Sequence, residues 1–400
     1  MNSDTAKTAG ACLSLLIILT GCEGFFGKKT PTDFLDEPVY DSRTVAYVPI
    51  QPVWDNFTYP TDIIAGWDEL LYVVDQGTEE IVALDQAGEE LGRFRVQGLT
   101  AITQDRRLDI LATGTIDTTI SGTDFTLPAI YRINLNKTGE YGLKNAYISK
   151  KIIHPFYYRS GTPTISDEAV SFTGIAVQGN NKYYVARNGP SNAPSQFGGP
   201  DNTILVFDDT DKFQTPVFVT TNLGLIRDYF KSPQGLTTAA QPPQSPAVSS
   251  SPDFIFASIG TTNVLRVQYI AAIETPFGIS YQVQNFPTGD TSRADHFLYE
   301  ANRFESPSDV TLTGDGTNYL FVVDAAKDSV FQFNGLGYEG VNPPAGSNSR
   351  KVIQASFGGT GAGLTQFREP QGVAYINRIL YVADAGNSRV LRFKLTTDFE

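Results

Sequence analysis

The stretch "EPQGVAYINRILYVADAGNSRVLRF", residues 369–393, decides the fold. It divides into three short apolar runs, GVAY, ILYVAD and RVLRF, bounded by turn-forming residues and rich in β-branched and aromatic side chains, the pattern of β-strands. Little chain follows RVLRF, so the strand that flanks it has to come from elsewhere in the sequence.

The same frame recurs upstream in "YPTDIIAGWDELLYVVDQGTEEIVAL", residues 59–84, and "SPSDVTLTGDGTNYLFVVDAAKDSVFQF", residues 306–333. The shared frame is Pro-x-(Gly/Asp)-apolar, a turn, an aromatic-Val-(Val/Ala)-Asp strand, a second turn and a third strand. Looser copies occupy residues 97–114, 172–189 and 232–270, where Thr113, Arg187 and Ser258 stand in place of the Asp. Repetition of one supersecondary unit is the signature of a stacked or radial architecture. Six units result, starting near residues 60, 98, 172, 233, 307 and 370.

A fourth strand follows each of the first five units: LGRFRV, ISKKIIH, PVFVTT, ISYQVQNF and KVIQASF. The sixth has none after it. The segment "RTVAYVPIQPVW", residues 43–54, alternates like a strand just ahead of the first unit. We expect it to pair with RVLRF, closing a ring that has no open sheet edge.

The last unit resembles an NHL repeat, a β-propeller blade, and the match includes Asp384, Asn387 and Arg389. The Asn-x-Arg of this motif is absent from the first and fifth units, and the middle three keep mainly the strand rhythm. The resemblance implies an all-β, six-bladed propeller over residues 43–400, its last blade completed by the N-terminal strand.

Composition agrees: 19 Tyr, 26 Phe, 36 Gly and 23 Pro favour strands and turns, and no long stretch has the 3.6-residue apolar period of a helix. The net charge of −13 argues against nucleic acid, which needs clustered Lys and Arg. At the N-terminus, the apolar run Leu13–Leu19 is too short to span a bilayer and leads into Leu19-Thr20-Gly21-Cys22. That resembles the bacterial lipobox, with Cys22 as the lipid acceptor; the n-region departs from the pattern in carrying Asp4 beside Lys7. The expectation is a lipoprotein signal peptide over residues 1–21, a polar tether over 22–42 and the propeller beyond. Cleavage before Cys22 removes Cys12, so the mature chain has no pair for a disulfide. The implied address is the cell envelope, as an outer-membrane lipoprotein in the manner of the Bacteroidota.

The repeated Asp75, Asp324 and Asp384 end second strands, where a carboxylate accepts backbone N–H groups across a tight turn. The alternative is a ring of acids around a cation. Pro fixes φ, and Gly permits positive φ, where the chain enters each unit. Zinc would favour several His or Cys ligands, whereas His154 and His296 are the chain's two histidines. We expect both to be structural and no catalytic residue or resident metal, although composition leaves a calcium site of carboxylates and carbonyls open. At the inner ends of the first strands, Asp62 and Asp309 stand where the other units have Thr100, Gly174, Gly235 and Gly372, a thin set for catalysis.

Elaboration concentrates in the loops on one face: residues 113–129, 155–171, 188–202, 222–233 and 287–306. They and their edges carry Tyr157, Tyr158, Arg159, Arg187, Arg227, Tyr229, Arg293, Tyr299, Arg303 and Arg368, residue types enriched at binding hot spots. The leading expectation is a lipid-anchored, non-catalytic binding propeller. It would be an accessory subunit of an outer-membrane complex, taking a protein partner or glycan on this face. The alternative is a propeller enzyme of lyase or lactonase type, acting at the central channel with calcium if any metal.

Overall fold

A computed structural model describes residues 45–399 apart from 138, 155–162, 191–199, 241–248, 277 and 345–347. The strands assemble into six blades around a central axis. From the axis outward, blade one is Pro60–Ala65, Leu71–Asp75, Glu80–Leu84 and Glu90–Arg95. Blade two is Ala101–Gln104, Ile110–Ile120, Thr123–Asn134 and Tyr147–Ile153, and blade three is Ser171–Val177, Tyr183–Asn188, Thr203–Phe207 and Phe213–Pro216. Blade four is Pro233–Thr238, Phe254–Ser258, Val267–Thr275 and Gly278–Val283; blade five is Pro307–Leu312, Leu320–Asp324, Ser329–Phe333 and Phe357–Gly358. Blade six is Pro370–Ile376, Ile379–Asp384 and Arg389–Leu395, with Tyr47–Trp54 antiparallel on its outer edge. The expected closure of the ring by the N-terminal strand is what the structure shows.

The second strands read as unbroken apolar runs because both of their faces are covered. In blade one, Leu71 and Val73 pack toward blade six, whereas Tyr72 and Val74 pack toward blade two. Leu380 and Val382 likewise face blade five, and Tyr381 and Ala383 face blade one. The two-residue period of a strand therefore feeds two cores at once. Every neighbouring pair of blades shares one such core.

The Asp that ends a second strand is a buried lock. Asp75 accepts the N–H groups of Thr58 and Tyr59 at 2.9 and 2.8 Å. Asp324 accepts those of Glu305, Ser306, Ala326 and Lys327 at 2.7–3.1 Å. Asp384 accepts the Arg368 N–H, the Asn387 amide and the Arg389 guanidinium. Each carboxylate ties the loop entering its blade to the end of that blade's second strand. The other three blades use different side chains at this position. The Thr113 hydroxyl accepts the Ala101 N–H and donates to the Ala101 carbonyl. The Ser258 hydroxyl donates to the Lys231 carbonyl and accepts the Gly260 N–H. Arg187 donates to His154 ahead of blade three and to the Gly189, Pro190 and Asp201 carbonyls of the loop that follows its own strand.

Three expectations need correction. PVFVTT is not blade three's outer strand. That strand ends at Pro216, and Val217 and Val219 are buried between blades three and four. The segment Val219–Thr221 therefore runs parallel to blade four's outer strand and turns back through Gly224–Ile226, making a six-stranded sheet. KVIQASF supplies only Phe357 to blade five's outer strand, while Ile353 bridges to Val341 instead. Residues 113–129 form no irregular loop: the second and third strands of blade two continue as one ribbon to a turn at Ser121 and Gly122, where φ is 53° and 83°.

Trp54 lies against Tyr381 and beneath the Arg392 guanidinium, 4.7 Å from its ring. Trp54→Ala is expected to destabilise the fold by about 3–5 kcal/mol, read by denaturant unfolding. Asp324→Ala, which orphans four backbone donors, is expected to cost about 2–4 kcal/mol in the same measurement.

Candidate functional site

The first strands of all six blades line the axis and enclose a channel with a cavity of about 320 Å³. Tyr59 and Gln76 lie at the end where these strands begin, and Trp67, Gln104 and Tyr375 at the end where they finish. Among the described residues no Lys, Arg or His lines the channel.

Two belts make up the wall. In the first, hydroxyl groups reach to the next blade: Thr100 donates to the Phe172 carbonyl (2.7 Å), Thr173 to Pro233 (2.7 Å) and Ser308 to Pro370 (2.9 Å). Thr61 occupies the same place, but its hydroxyl has no partner. Thr100 thus belongs to this belt rather than to the next, and Ala101 takes the place expected for Thr100. The second belt is Asp62, Ala101, Gly174, Gly235, Asp309 and Gly372. Here the blades crowd. A Cβ on Gly372 would come within 2.8 Å of the Asp62 Cα, and one on Gly235 within 2.4 Å of the Asp309 Cα.

Asp62 and Asp309 are the channel's ionisable acids. The N–H of Ile102 donates to Asp62 Oδ2 and that of Val373 to Asp309 Oδ2, both at 2.9 Å. Each acid thus spends one oxygen on the blade that follows its own. Burial pushes the Asp62 carboxyl up to about 6, against the pull of the Ile102 and Ile63 N–H groups. Asp309 is pushed well above the usual carboxylate range by burial and then by the charge of Asp62, again against two N–H bonds.

The other acidic assembly is already occupied. Arg132, between blades two and three, binds Asp105, Asp109 and Asp211 at 2.6–3.1 Å. Burial opposes ionisation of Asp211, but Arg132 and Lys150 overcome it and hold its carboxyl below the usual range. Among the described residues no group of three His, Cys, Asp or Glu side chains is arranged to hold a metal.

Among the described residues, most of the loop side chains are engaged inside the protein. Arg187 is fully buried, its Nε 3.0 Å from His154 Nε2, and acts as blade three's lock. The Tyr229 and Tyr299 hydroxyls bond to Gln268 and Tyr269 of blade four's third strand. Arg303 forks onto buried Glu339 at 2.7 Å and covers Phe331. Arg227 lies over the Phe218 ring, Arg293 is half-buried and Arg368 is exposed at the entry to blade six. His296 pairs with Glu300. Cys22, Tyr157, Tyr158 and Arg159 lie outside the described residues. Sequence reasoning passed over the hydroxyl belt, although Thr61, Thr173 and Ser308 stood in the quoted repeats, each one residue after the Pro position.

Residues 367–393 match the NHL repeat family, the region of blade six from which the resemblance was drawn. A comparison with curated proteins finds no match. Among solved structures, a luciferin-regenerating enzyme is similar at TM-score 0.51 and 11% identity, covering 87% of this chain and 95% of that one. The PQQ-bound aldose sugar dehydrogenase of Streptomyces coelicolor follows at 0.50 and 13%, covering 88% and 98%. An auxiliary nutrient binding protein from Bacteroides thetaiotaomicron VPI-5482 aligns at 0.46 and 13%, covering 90% and 74%. At these identities the likeness is one of fold.

The two channel acids set a pH dependence. Their folded-state proton affinity exceeds the unfolded value near 3.9, so their contribution to stability is full below about pH 4; that of Asp62 is lost as pH rises through about 6, and that of Asp309 is lost only well above the usual carboxylate range. Asp62→Asn is expected to melt above the parent at about pH 8, with the difference vanishing toward about pH 4, measured by thermal unfolding across that range.

Proposed function

We propose that this protein is a lipid-anchored binding propeller of the cell envelope that holds a small ligand in its central channel, as an accessory subunit of an outer-membrane assembly. The observation that carries the reading is the channel wall: two acids with high proton affinity, a belt of hydroxyl and amide groups, aromatic rings at both ends and, among the described residues, no base. A concave site with a few convergent polar groups and perturbed acids is the physical form of a ligand site. The loop-rich face supports binding less well, because Arg187, Tyr229, Tyr299 and Arg303 are engaged inside the protein.

A second reading has one observation behind it. A carboxyl that titrates near 6 suits proton transfer at neutral pH, as a lyase or lactonase of the channel would need.

Lipid attachment is tested by labelling cells with a tagged fatty acid: the parent takes up label and Cys22→Ala does not. Channel binding is tested by native mass spectrometry after incubation with small-molecule envelope extract. The parent is expected to carry a bound mass that Gln371→Trp, which fills the channel, has lost. An unchanged mass in Gln371→Trp would place the ligand elsewhere, and conversion of the extract ligand by the parent would favour the enzyme.

A further inference from the structure

We propose that the channel ligand is a small organic cation, a protonated amine or quaternary ammonium, whose charge sits between Asp62 and Asp309. The inference rests on the channel-binding reading above and adds the chemical class.

Three observations lead to it. The first is charge. Two carboxyl groups face a cavity of about 320 Å³, and no basic side chain among the described residues lines it. Low-dielectric walls focus such a field and raise the local concentration of cations, while they repel anions. The chain's net charge of −13 acts in the same direction at longer range.

The second is placement. Asp62 belongs to blade one and Asp309 to blade five, and blade six stands between them. At the same level blade six contributes Gly372, which puts no side chain between the two acids, and among the described residues no basic group lines the cavity. Gly235 does the same on the other side of Asp309: a Cβ there would come within 2.7 Å of Asp309 Oδ1. The N–H bonds from Ile102 and Val373 engage Oδ2 of each acid and hold both carboxyl groups at the wall of the cavity.

The third is the cost of the empty state. Burial and mutual repulsion both disfavour ionisation of the pair. A ligand that brings positive charge removes the repulsion, and a neutral one does not. A divalent metal would need six or more oxygen ligands, whereas the two acids already accept backbone N–H groups and among the described residues no third acid joins them. An ammonium group needs charge first and gains from a ring; Tyr59 lines the same cavity, whereas the Trp67 ring already lies under Arg106 and the Tyr375 ring stacks on Phe321. The volume is at the small end of ligand sites, which fits an amine of a few carbons.

The test is isothermal titration of the full mature chain with choline, putrescine, calcium and, as a neutral control, glucose. Each is titrated at about pH 5 and about pH 8, the two sides of the Asp62 transition. At least one amine is expected to bind, with affinity rising about tenfold or more toward the higher pH. Asp62→Asn and Asp309→Asn are each expected to lower that affinity about tenfold at about pH 8 and to flatten its pH dependence. Asn keeps an oxygen for the Ile102 or Val373 N–H, so both variants are expected to fold, which near-ultraviolet circular dichroism checks. Binding of glucose without either amine, amine affinity that falls as pH rises, or calcium displacing the amine would overturn the assignment. If the extract ligand of the native mass experiment proves neutral, this inference fails while channel binding stands. If no bound mass is lost in Gln371→Trp and no probe binds, both fail.

Discussion

The antiparallel pairing of the chain's two ends carries the rest of the structure. Tyr47 lies opposite Leu395, Val48 opposite Lys394 and Ile50 opposite Arg392. A blade is a sheet with two apolar faces, and a row of such sheets has an exposed face at each end. Only a closed ring gives every face a partner. The core between blades six and one, with Trp54, Ile63, Leu71, Tyr381 and Val390, exists because the ring closes. So does the channel chemistry: Asp62 and Asp309 lie far apart in sequence and become neighbours across blade six.

Much of this was legible because the repeat is written in residues with a local physical task. Pro60, Pro307 and Pro370 start first strands, and Asp75, Asp324 and Asp384 pair directly opposite them. The carboxylate solves a problem every blade has, satisfying the backbone where one loop enters and another turn begins. Thr113, Arg187 and Ser258 looked like erosion of the motif. They are different solutions of the same problem: the hydroxyls of Thr113 and Ser258 both donate to carbonyls and accept N–H groups, and Arg187 donates to carbonyls. Arg187 shows the risk of reading residue type without position. Its charge suggested a binding residue, whereas its place at the end of a second strand made it a buried lock.

What could not be read depended on neighbours that the sequence does not place side by side. Thr100 was assigned to the level of Asp62 and Asp309. The hydrogen bond to Phe172, in the next blade, shows the frame of blade two shifted by one residue. Val219–Thr221 was assigned to blade three by order along the chain, but strand pairing follows burial, and Val217 and Val219 are buried between blades three and four. The tyrosines and arginines of the loops were legible as types. Their partners, Gln268, Tyr269 and Glu339, come from elsewhere in the fold.

The second belt of the channel shows what a wall needs for packing alone. Ala101, Gly174, Gly235 and Gly372 leave the crowded axis free of side chains. Two acids in the same belt are not required by that crowding. Each gains one hydrogen bond to a following blade, worth about 1.5–3 kcal/mol when the acceptor is charged. Against this stand the removal of two carboxylates from water, at several kcal/mol per ion, and their repulsion. The raised proton affinity of both groups is the direct expression of that imbalance. The structural gain does not offset the cost, whereas the acids buried for packing are better served: Asp105 and Asp211 by Arg132, and Asp324 by four backbone N–H groups. Among the described residues these acids have no base beside them at the place where all six blades converge, and the packing of the blades alone does not account for them.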